Sequence, residues 1–510
     1  MRAIQSEVPD AERISPSLKP NERVPRLLAS PTRFFLVLAA LFTTHVFIRL
    51  IASPVANVDE CGQLIFAQRF QWGYGPQPPL YTWLQLVLFQ VFGLSILALS
   101  LLKNVLLFAI YAFTYATTRG LTGSHLTGLI AAMGLMFIPQ IAWESQRDLT
   151  HSVLATTMAA ATLFIFVRLA QTKARWLYVI LGVCFGLGLL SNYSYALLAL
   201  GLLIAALTVP DYRRTILTPW LLLSLAIAVA LVLPHALWAR DHASVVLAST
   251  YKLKIQTSVS WLSTWLAPFP SLAIAWFSRV ISITLVFLLL CWKQIIPFPW
   301  EAARRPPAAL LLRVILVALV AVIVTMIAAH ATTIKGRWLQ PIHICVPMLA
   351  ALWTQARWTW IATQRLSILA ASVVILIASI LAIHTRLDED RADRLNRTFS
   401  PLLPQLRAEA ERADFIVAET LPIGGNLRLN FPNKTVLTPQ FTPERWRNRG
   451  QTCLIVFDAT RKPQPPAALQ RLIALETGLE PTEVQWSHAE ARPSPDGKPI
   501  RFAFARVTVK

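Results

Sequence analysis

The chain has 510 residues, of which 55% are hydrophobic and only 14% charged, and its mean hydropathy is +0.53. That excludes an ordinary soluble domain, in which about 25% of residues are charged, and a disordered chain, which combines low hydrophobicity with abundant charge. Lys and Arg outnumber Asp and Glu by 47 to 26, a formal charge of +21; in so apolar a chain the excess reads as loops facing the cytoplasm and anionic lipid, not as a nucleic-acid surface. Five cysteines are too few for a disulfide scaffold. Cys61 and Cys453 could pair if both face an oxidising compartment; Cys184, Cys291 and Cys345 lie in apolar surroundings.

Residues 1–33 read as a cytoplasmic tail rich in Arg and Lys, too long for the leading part of a cleaved signal peptide. A membrane helix needs roughly 20 apolar residues. About eleven such runs follow, near 34–53, 95–117, 124–141, 151–170, 176–191, 194–209, 217–238, 276–293, 313–330, 338–355 and 366–384. The pair at 176–191 and 194–209 reads as two helices joined by a turn at Asn192-Tyr193, with one kinked span as the alternative. Alternate loops carry Arg119, Lys173 and Arg175, Arg213 and Arg214, Lys293 with Arg304 and Arg305, and Arg357 with Arg365; by the positive-inside rule these face the cytoplasm. The opposite loops still hold Arg69, Arg147, Arg240, Lys252, Lys254, Lys335 and Arg337. Charges that break the topology rule need another reason. From 385 to 510 no run reaches membrane length. Short apolar runs at 414–418, 453–457 and 502–507, with a helical pattern over 465–478, predict a small α/β domain outside the membrane, behind a charged connector at 385–411.

The most informative loop is 54–85, PVANVDECGQLIFAQRFQWGYGPQPPLYTWLQ. Asp59 and Glu60 stand just beyond the first span. A carboxylate there can take the proton of an attacking hydroxyl or amine, or help bind a divalent metal; Asp59 also suits the cap of a helix over 60–72. Gln63, Phe66, Ala67 and Phe70 recur at helical spacing, as on an interfacial amphipathic helix. Trp72 and Tyr74 suit the same depth. The Gly73–Pro79 stretch makes a stiff turn before a helix from 80 to about 93.

Here the chain resembles a known family. The pattern V-D-E-x7-Q-x3-W-G-Y-x3-P-P-L is similar to the first outer loop of bacterial lipid-dependent glycosyltransferases of the family 39 type, in the GT-C superfamily. That group includes protein O-mannosyltransferases, the aminoarabinose transferase acting on lipid A and the rhizobial galacturonosyltransferases of lipopolysaccharide; the WGYGPQPPLYTWLQ wording looks most like the last. Further similar segments follow in order: Glu144–His151, GLGLLSNYSYALLAL at 186–200, Leu233-Pro234-His235-Ala236-Leu237-Trp238, and Lys335-Gly336-Arg337-Trp338-Leu339-Gln340-Pro341. Two departures stand out: Pro76 and Gln77 stand where the aminoarabinose enzymes have an acidic residue and a Lys before the Pro pair, and Asn192 stands in place of the family's usual Lys.

The resemblance implies an α-helical polytopic membrane protein of GT-C type with a small C-terminal α/β periplasmic domain. It implies inverting transfer of a sugar from a polyprenyl-phosphate donor to a lipid or glycan acceptor at the outer face of a bacterial inner membrane. Asp59 matches the family's base and Glu60 its companion. A lipid-phosphate leaving group needs cations, and the guanidinium fork suits phosphate; Lys335 and Arg337, in a short loop, are the candidates, with Lys335 free to meet a sugar carboxylate instead. Lys103, ionisable inside a span, is a further candidate. Arg147, Asp148 and His151 share a helix face, where Asp148 either orients the acceptor or pairs with Arg147. Tyr74, Gln77 and Gln340 complete the expected sugar site, and Trp338 either lines it or anchors at the interface. The loop 239–275, with Tyr251, Lys252, Lys254, Trp261 and Trp265, suits an amphipathic lid over a lipid or sugar and equally a plain interfacial helix. No zinc-type His/Cys spacing occurs, so no metal ligand is assigned, though acidic groups with waters could hold a divalent ion. Protein O-glycosylation is the alternative within the class. A lipid-linked-sugar flippase is the alternative outside it, and would need charges deep in several helices.

Overall fold

The computed structural model describes residues 25–255, 265–295, 300–355, 358–387, 403–441, 450–460, 463–493 and 499–510. The expected tail at 1–24, Trp261, Arg357 and most of the connector lie outside these residues. Each of the eleven apolar runs is helical. Seven are long and apolar enough to cross a membrane alone: Pro31–Ala52, Ile96–Thr122, His151–Thr172, Pro219–Asp241, Pro268–Cys291, Pro306–Ala328 and Trp360–Ile383. The others differ from uninterrupted spans, and proline accounts for most of the difference. The run at 124–141 bends by 75° between His125–Phe137 and Gln140–Arg147, and the run at 194–209 continues through a 117° bend into Pro210–Ile216. Pro139 and Pro210 stand at these breaks, and the residues before them, Ile138 and Val209, are extended. A proline clashes with a helical predecessor, so the helix must stop there. Trp176–Ser191 and Cys345–Thr354 are helices of less than spanning length. At 176–208 the chain forms two helices, separated by an extended Asn192.

The C-terminal part is an α/β unit with a mixed sheet. Its strands are β1 Phe415–Ala418, β2 Thr435–Leu437, β3 Thr452–Asp458, β4 Ser487–Pro493 and β5 Pro499–Thr508, in the order β2-β1-β3-β5-β4. β1 runs parallel to β2 and β3, and β5 antiparallel to β3 and β4. Successive side chains of a strand point to opposite faces. Phe415, Val417, Cys453 and Ile455 therefore pack on the helix Ala467–Thr477, through Leu469 and Ile473. Ile416, Leu454 and Val456 pack on the other side against Leu427, and the same cluster includes Ile65 and Tyr74 of the first loop. The sheet thus shares its core with the loop nearest the membrane spans.

Two side-chain carboxamides lock that junction. Asn426, in the helix Leu421–Asn430, accepts from the amide N–H of Ala56 at 2.9 Å and donates to the same residue's carbonyl at 3.2 Å. Gln68 donates to the carbonyl of Val436 at 2.8 Å and accepts from its N–H at 2.8 Å, so its amide pairs with edge strand β2 as another strand would. Between them, Gly425 lets the two backbones close: a Cβ there would lie 2.5 Å from Cys61 Cα. All five cysteines are buried and free, so the suggested Cys61–Cys453 bond does not form; Cys61 faces the Leu421–Asn430 helix and Cys453 sits inside β3.

Gly425→Val should push the C-terminal unit off the first loop, at a cost of at least the ~1–3 kcal/mol typical of overpacking. The expected readout is a lower melting temperature of the detergent-solubilised protein and faster proteolysis after residue 403. Wild-type melting and proteolysis would contradict the packing described for this junction.

Candidate active site

The site begins with an anchored turn. At the end of the first span, Arg49 donates to the carbonyls of Ser53 and Val55, at 2.7 and 2.9 Å, and to Glu60 Oε2 at 2.7 Å. The helix that follows is Val58–Phe66, and its cap is Asn57, not Asp59. Asn57 Oδ1 accepts from the Glu60 N–H while Glu60 Oε2 accepts from the Asn57 N–H, both at 3.0 Å, a reciprocal capping box. The second hydrogen-bonding group of Asn57, its Nδ2, donates to the Arg147 carbonyl at 2.7 Å and ties in the next loop. Lys103 Nζ lies 3.9 Å from Glu60 Oε1, an ion pair too long for a hydrogen bond, with both side chains buried. Burial pushes the Glu60 carboxyl up, but Arg49 and Lys103 outweigh it and hold the group below its ordinary value.

Glu60 is therefore a buried counter-ion, and it does not line the cavity that Asp59 faces. The same finding reassigns Lys103, expected at the donor phosphate: its charge is spent on Glu60. Helical residues are separated by about 100°, so a Glu60 fixed inward turns Asp59 another way. Asp59 is half-buried and lines a cavity of about 240 Å3 together with Gln63, Tyr74, Gln77, His151, Lys252 and Arg337.

Each wall of this cavity has a local cause. Gln63 accepts from the Thr82 hydroxyl at 2.9 Å, and its Nε2 lies 3.4 Å from His151 Nε2. His151 is delivered by a strained turn: Leu149 has φ +29°, a left-handed conformation unusual outside glycine, directly before the helix His151–Thr172. Leu149, Thr150, His151 and Ser152 all line the cavity. Asp148 precedes them and does not; Arg147 is exposed, with its guanidinium 5.9 Å from the Trp143 ring, and faces a small crevice beside Arg49 and Lys103. Both had been expected with the substrate.

The aromatic turn is pinned from several sides. Trp83 Nε1 donates to the Gln71 carbonyl at 2.8 Å, and the Gln71 N–H donates to the Tyr74 hydroxyl at 3.0 Å. Burial pushes the Tyr74 phenol up to about 12, so it stays neutral. His235 Nδ1 lies 2.8 Å from the Trp72 carbonyl, and Trp238 stacks so close to Gly73 that no side chain fits there. The two departures from the family pattern meet: Asn192 Nδ2 donates to Gln77 Oε1 at 3.0 Å. This amide pair, with Pro76 and Trp338, divides the polar cavity from a neighbouring one of about 340 Å3 lined by Leu197, Val322 and Met326.

The cationic side comes from two segments held together. The Leu253 carbonyl accepts from the N–H groups of Thr332 and Thr333, each at 3.1 Å, and Thr333 Oγ1 donates to the Lys252 carbonyl at 3.1 Å. Lys252 is thereby fixed beside the loop that carries Lys335 and Arg337. Burial lowers the Lys252 pKa, and repulsion from Arg337 and Lys335 lowers it further, against the opposite pull of Asp59. Lys335 is exposed and stands near this group without lining the cavity. Gln340 is buried and donates to Ser145 Oγ at 3.0 Å; it braces the Gln140–Glu144 turn and does not reach the cavity. Sequence reasoning placed Lys252 in a lid, not at the site. It also missed Arg279, which pairs with Glu144 and packs against Gly336 below the cationic loop. A lone Arg within an apolar span was the available signal. Among the described residues no three His, Cys, Asp or Glu side chains gather to hold a metal, and the other charged groups in the cavity lining are the cations Lys252 and Arg337.

A bundle of apolar spans with a cavity lined by one carboxylate and two cations suits a membrane-embedded transferase. The comparisons agree. The family described as dolichyl-phosphate-mannose-protein mannosyltransferase matches residues 76–238. The lipopolysaccharide core galacturonosyltransferase RgtB of Rhizobium johnstonii is 33% identical over 418 residues, 80% of this chain and 84% of that protein. RgtA of the same organism, with the same description, is 27% identical over 80% of this chain and 82% of its own length. The crystal structure of ArnT from Cupriavidus metallidurans bound to undecaprenyl phosphate shares the fold, with a TM-score of 0.61 at 12% identity over 93% of this chain and 98% of that one. The chain belongs to the GT-C glycosyltransferase family that contains these galacturonosyltransferases, and it is an integral membrane glycosyltransferase.

A carboxyl held below its ordinary value stabilises the fold above that value and ceases to do so as pH falls through the lowered one. Thermal stability should therefore drop as pH is taken below about 4.5, the ordinary value for Glu60. Glu60→Gln should cost about 3–5 kcal/mol at neutral pH, because two buried cations lose their partner, and should shrink the acid-side drop. Melting curves from pH 3 to 8 check both; equal pH dependence in the two proteins would rule out Glu60 as its source.

Proposed function

We propose that this enzyme transfers a uronic acid from a polyprenyl-phosphate donor to a sugar hydroxyl of the lipopolysaccharide core, with inversion. The observation that carries the reading is Asp59 in one cavity with Arg337 and Lys252. Asp59 takes the proton of the acceptor hydroxyl as its oxygen bonds to the anomeric carbon. The bond from that carbon to the phosphate oxygen breaks, and polyprenyl phosphate leaves carrying the electron pair. Arg337 faces the phosphate, where its planar fork stabilises the charge that develops on departure. The adjoining apolar cavity takes the first part of the polyprenyl tail, with the Gln77–Asn192 pair and Trp338 at the junction. His151 and Gln63 offer neutral hydrogen-bonding groups to sugar hydroxyls. The uronic acid and the core acceptor follow the activity of the galacturonosyltransferase relatives.

In this reading the protein lies in the bacterial inner membrane, with its N-terminus in the cytoplasm and the cavity and α/β unit in the periplasm. The support is the concentration of Arg119, Lys173, Arg175, Arg213, Arg214, Arg304 and Arg305 in alternate loops.

Asp59→Asn should lower transfer by about 10²–10⁴-fold, the usual worth of a positioned base, without changing the melting temperature. Arg337→Ala should slow transfer of any sugar on the same lipid phosphate. The assay is incorporation of radiolabelled sugar from polyprenyl phosphate into lipopolysaccharide acceptors by purified protein in liposomes. Full activity in Asp59→Asn would remove Asp59 as the base, and movement of labelled donor across the bilayer without transfer would favour a flippase.

A further inference from the structure

The cavity of the empty protein carries a net positive charge, with one carboxylate, Asp59, against Lys252 and Arg337. Before reaction the groups to be neutralised are ionised Asp59 and the single charge of a phosphodiester donor. After reaction Asp59 carries the proton and the departing monoester carries two charges. The total is two negative charges at both stages. Among the described residues Asp59 is the only carboxylate lining the cavity, and Lys252 and Arg337 are its two cations; Lys335 stands exposed beside them. Two cations held side by side and partly buried are costly in the empty protein, and anionic groups that arrive with the substrate relieve that cost.

Resting on the donor reading above, we infer that Lys252 is a specificity-determining residue that binds a carboxylate on the donor sugar. Three observations place it in that role. Its side chain lines the polar cavity, which a sugar would fill. Its backbone is tied to the 331–337 loop through Thr333, and the neighbouring Leu253 through Thr332 and Thr333, which sets the residue beside Arg337. Lys335, the other lysine of the group, is exposed and lies outside the cavity lining, where solvent screens it. Of the two cations in the lining, the guanidinium suits the phosphate, which leaves the lysine's point charge for the sugar. The neutral Gln77–Asn192 pair adds no competing charge to the wall.

The test compares two donors on the same polyprenyl phosphate, a uronic acid and the neutral hexose of the same configuration, with purified enzyme in liposomes. Wild type is expected to prefer the uronosyl donor. Lys252→Met should cut the ratio of uronosyl to hexosyl kcat/KM about 10–100-fold, the worth of one hydrogen bond to a charged group, and Lys252→Arg should keep most of the preference. Lys252→Gln gives the same ratio if the Met variant does not fold. A fall of both activities in parallel would assign Lys252 to the phosphate and overturn the inference, as would an unchanged ratio. Wild type that transfers hexose but not uronate would overturn it while leaving the transferase reading intact. Wild type that transfers neither sugar would overturn both.

Discussion

The site depends on one buried carboxylate that lies outside the cavity lining. Glu60 draws Arg49 from the first span and Lys103 from the span Ile96–Thr122 onto the start of a nine-residue helix. Each of these three charges would be expensive to bury alone. Together they fix the position and the rotation of that helix. Asp59, the next residue back, is then aimed by geometry: it shares the backbone turn of Glu60 but lies about 100° around the axis. An adjacent Asp-Glu pair thus divides its work, one carboxylate fastening and the other facing the cavity. The Asn57 cap adds direction to the arrangement, because it bonds both to Glu60 and to the Arg147 carbonyl that leads into the turn before His151.

A helix of nine residues has little stability of its own, and the α/β unit supplies the rest of the support. The two parts clasp each other at two backbone positions: Asn426 of the unit pairs with Ala56 of the first loop, and Gln68 of the loop pairs with Val436 of β2. Each such contact satisfies a donor and an acceptor that would otherwise be buried unpaired. Ile65 and Tyr74 complete the apolar junction, and Leu421 reaches from the α/β unit into the cavity lining. The unit is therefore a structural part of the site and not an appendage behind a connector.

What was legible in the sequence follows from the range of the forces involved. The spans were readable because hydropathy is local and each run carries its own evidence. Proline bends moved several helix ends, yet Pro139 and Pro210 were visible as local signals too. The strands at 415–418 and 452–458 showed as apolar runs, whereas β2 has only three residues and β4 reads SHAEARP, with no apolar pattern. Charge partnerships were not readable. Lys103 was correctly singled out as an ionisable group within a span, but its partner lies 43 positions earlier in the chain and nothing local names it. Arg147 and Gln340 fell in family-like segments, and their side chains serve the Trp143 ring and Ser145. Lys252 belonged to a loop without a motif; only its pairing with residues 332 and 333 brings it to Arg337.

The cations that break the positive-inside pattern now have a physical reason. A loop charge placed only to set topology can sit anywhere near a membrane end. Lys252 and Arg337 instead occupy the lining of a confined space, on segments stitched together by hydrogen bonds. In the proposed transfer no net charge is created: one negative charge passes from Asp59 to the departing phosphate as the proton moves the other way. Positive groups held around both points can stay still while the charge crosses between them. Donors that need not reorient at the moment of reaction are worth far more than mobile ones. The rigid ties of the loops, from the Glu60 ion pairs to the Thr333 bond, are then part of the catalytic arrangement, because they keep the two ends of that charge movement at a fixed separation.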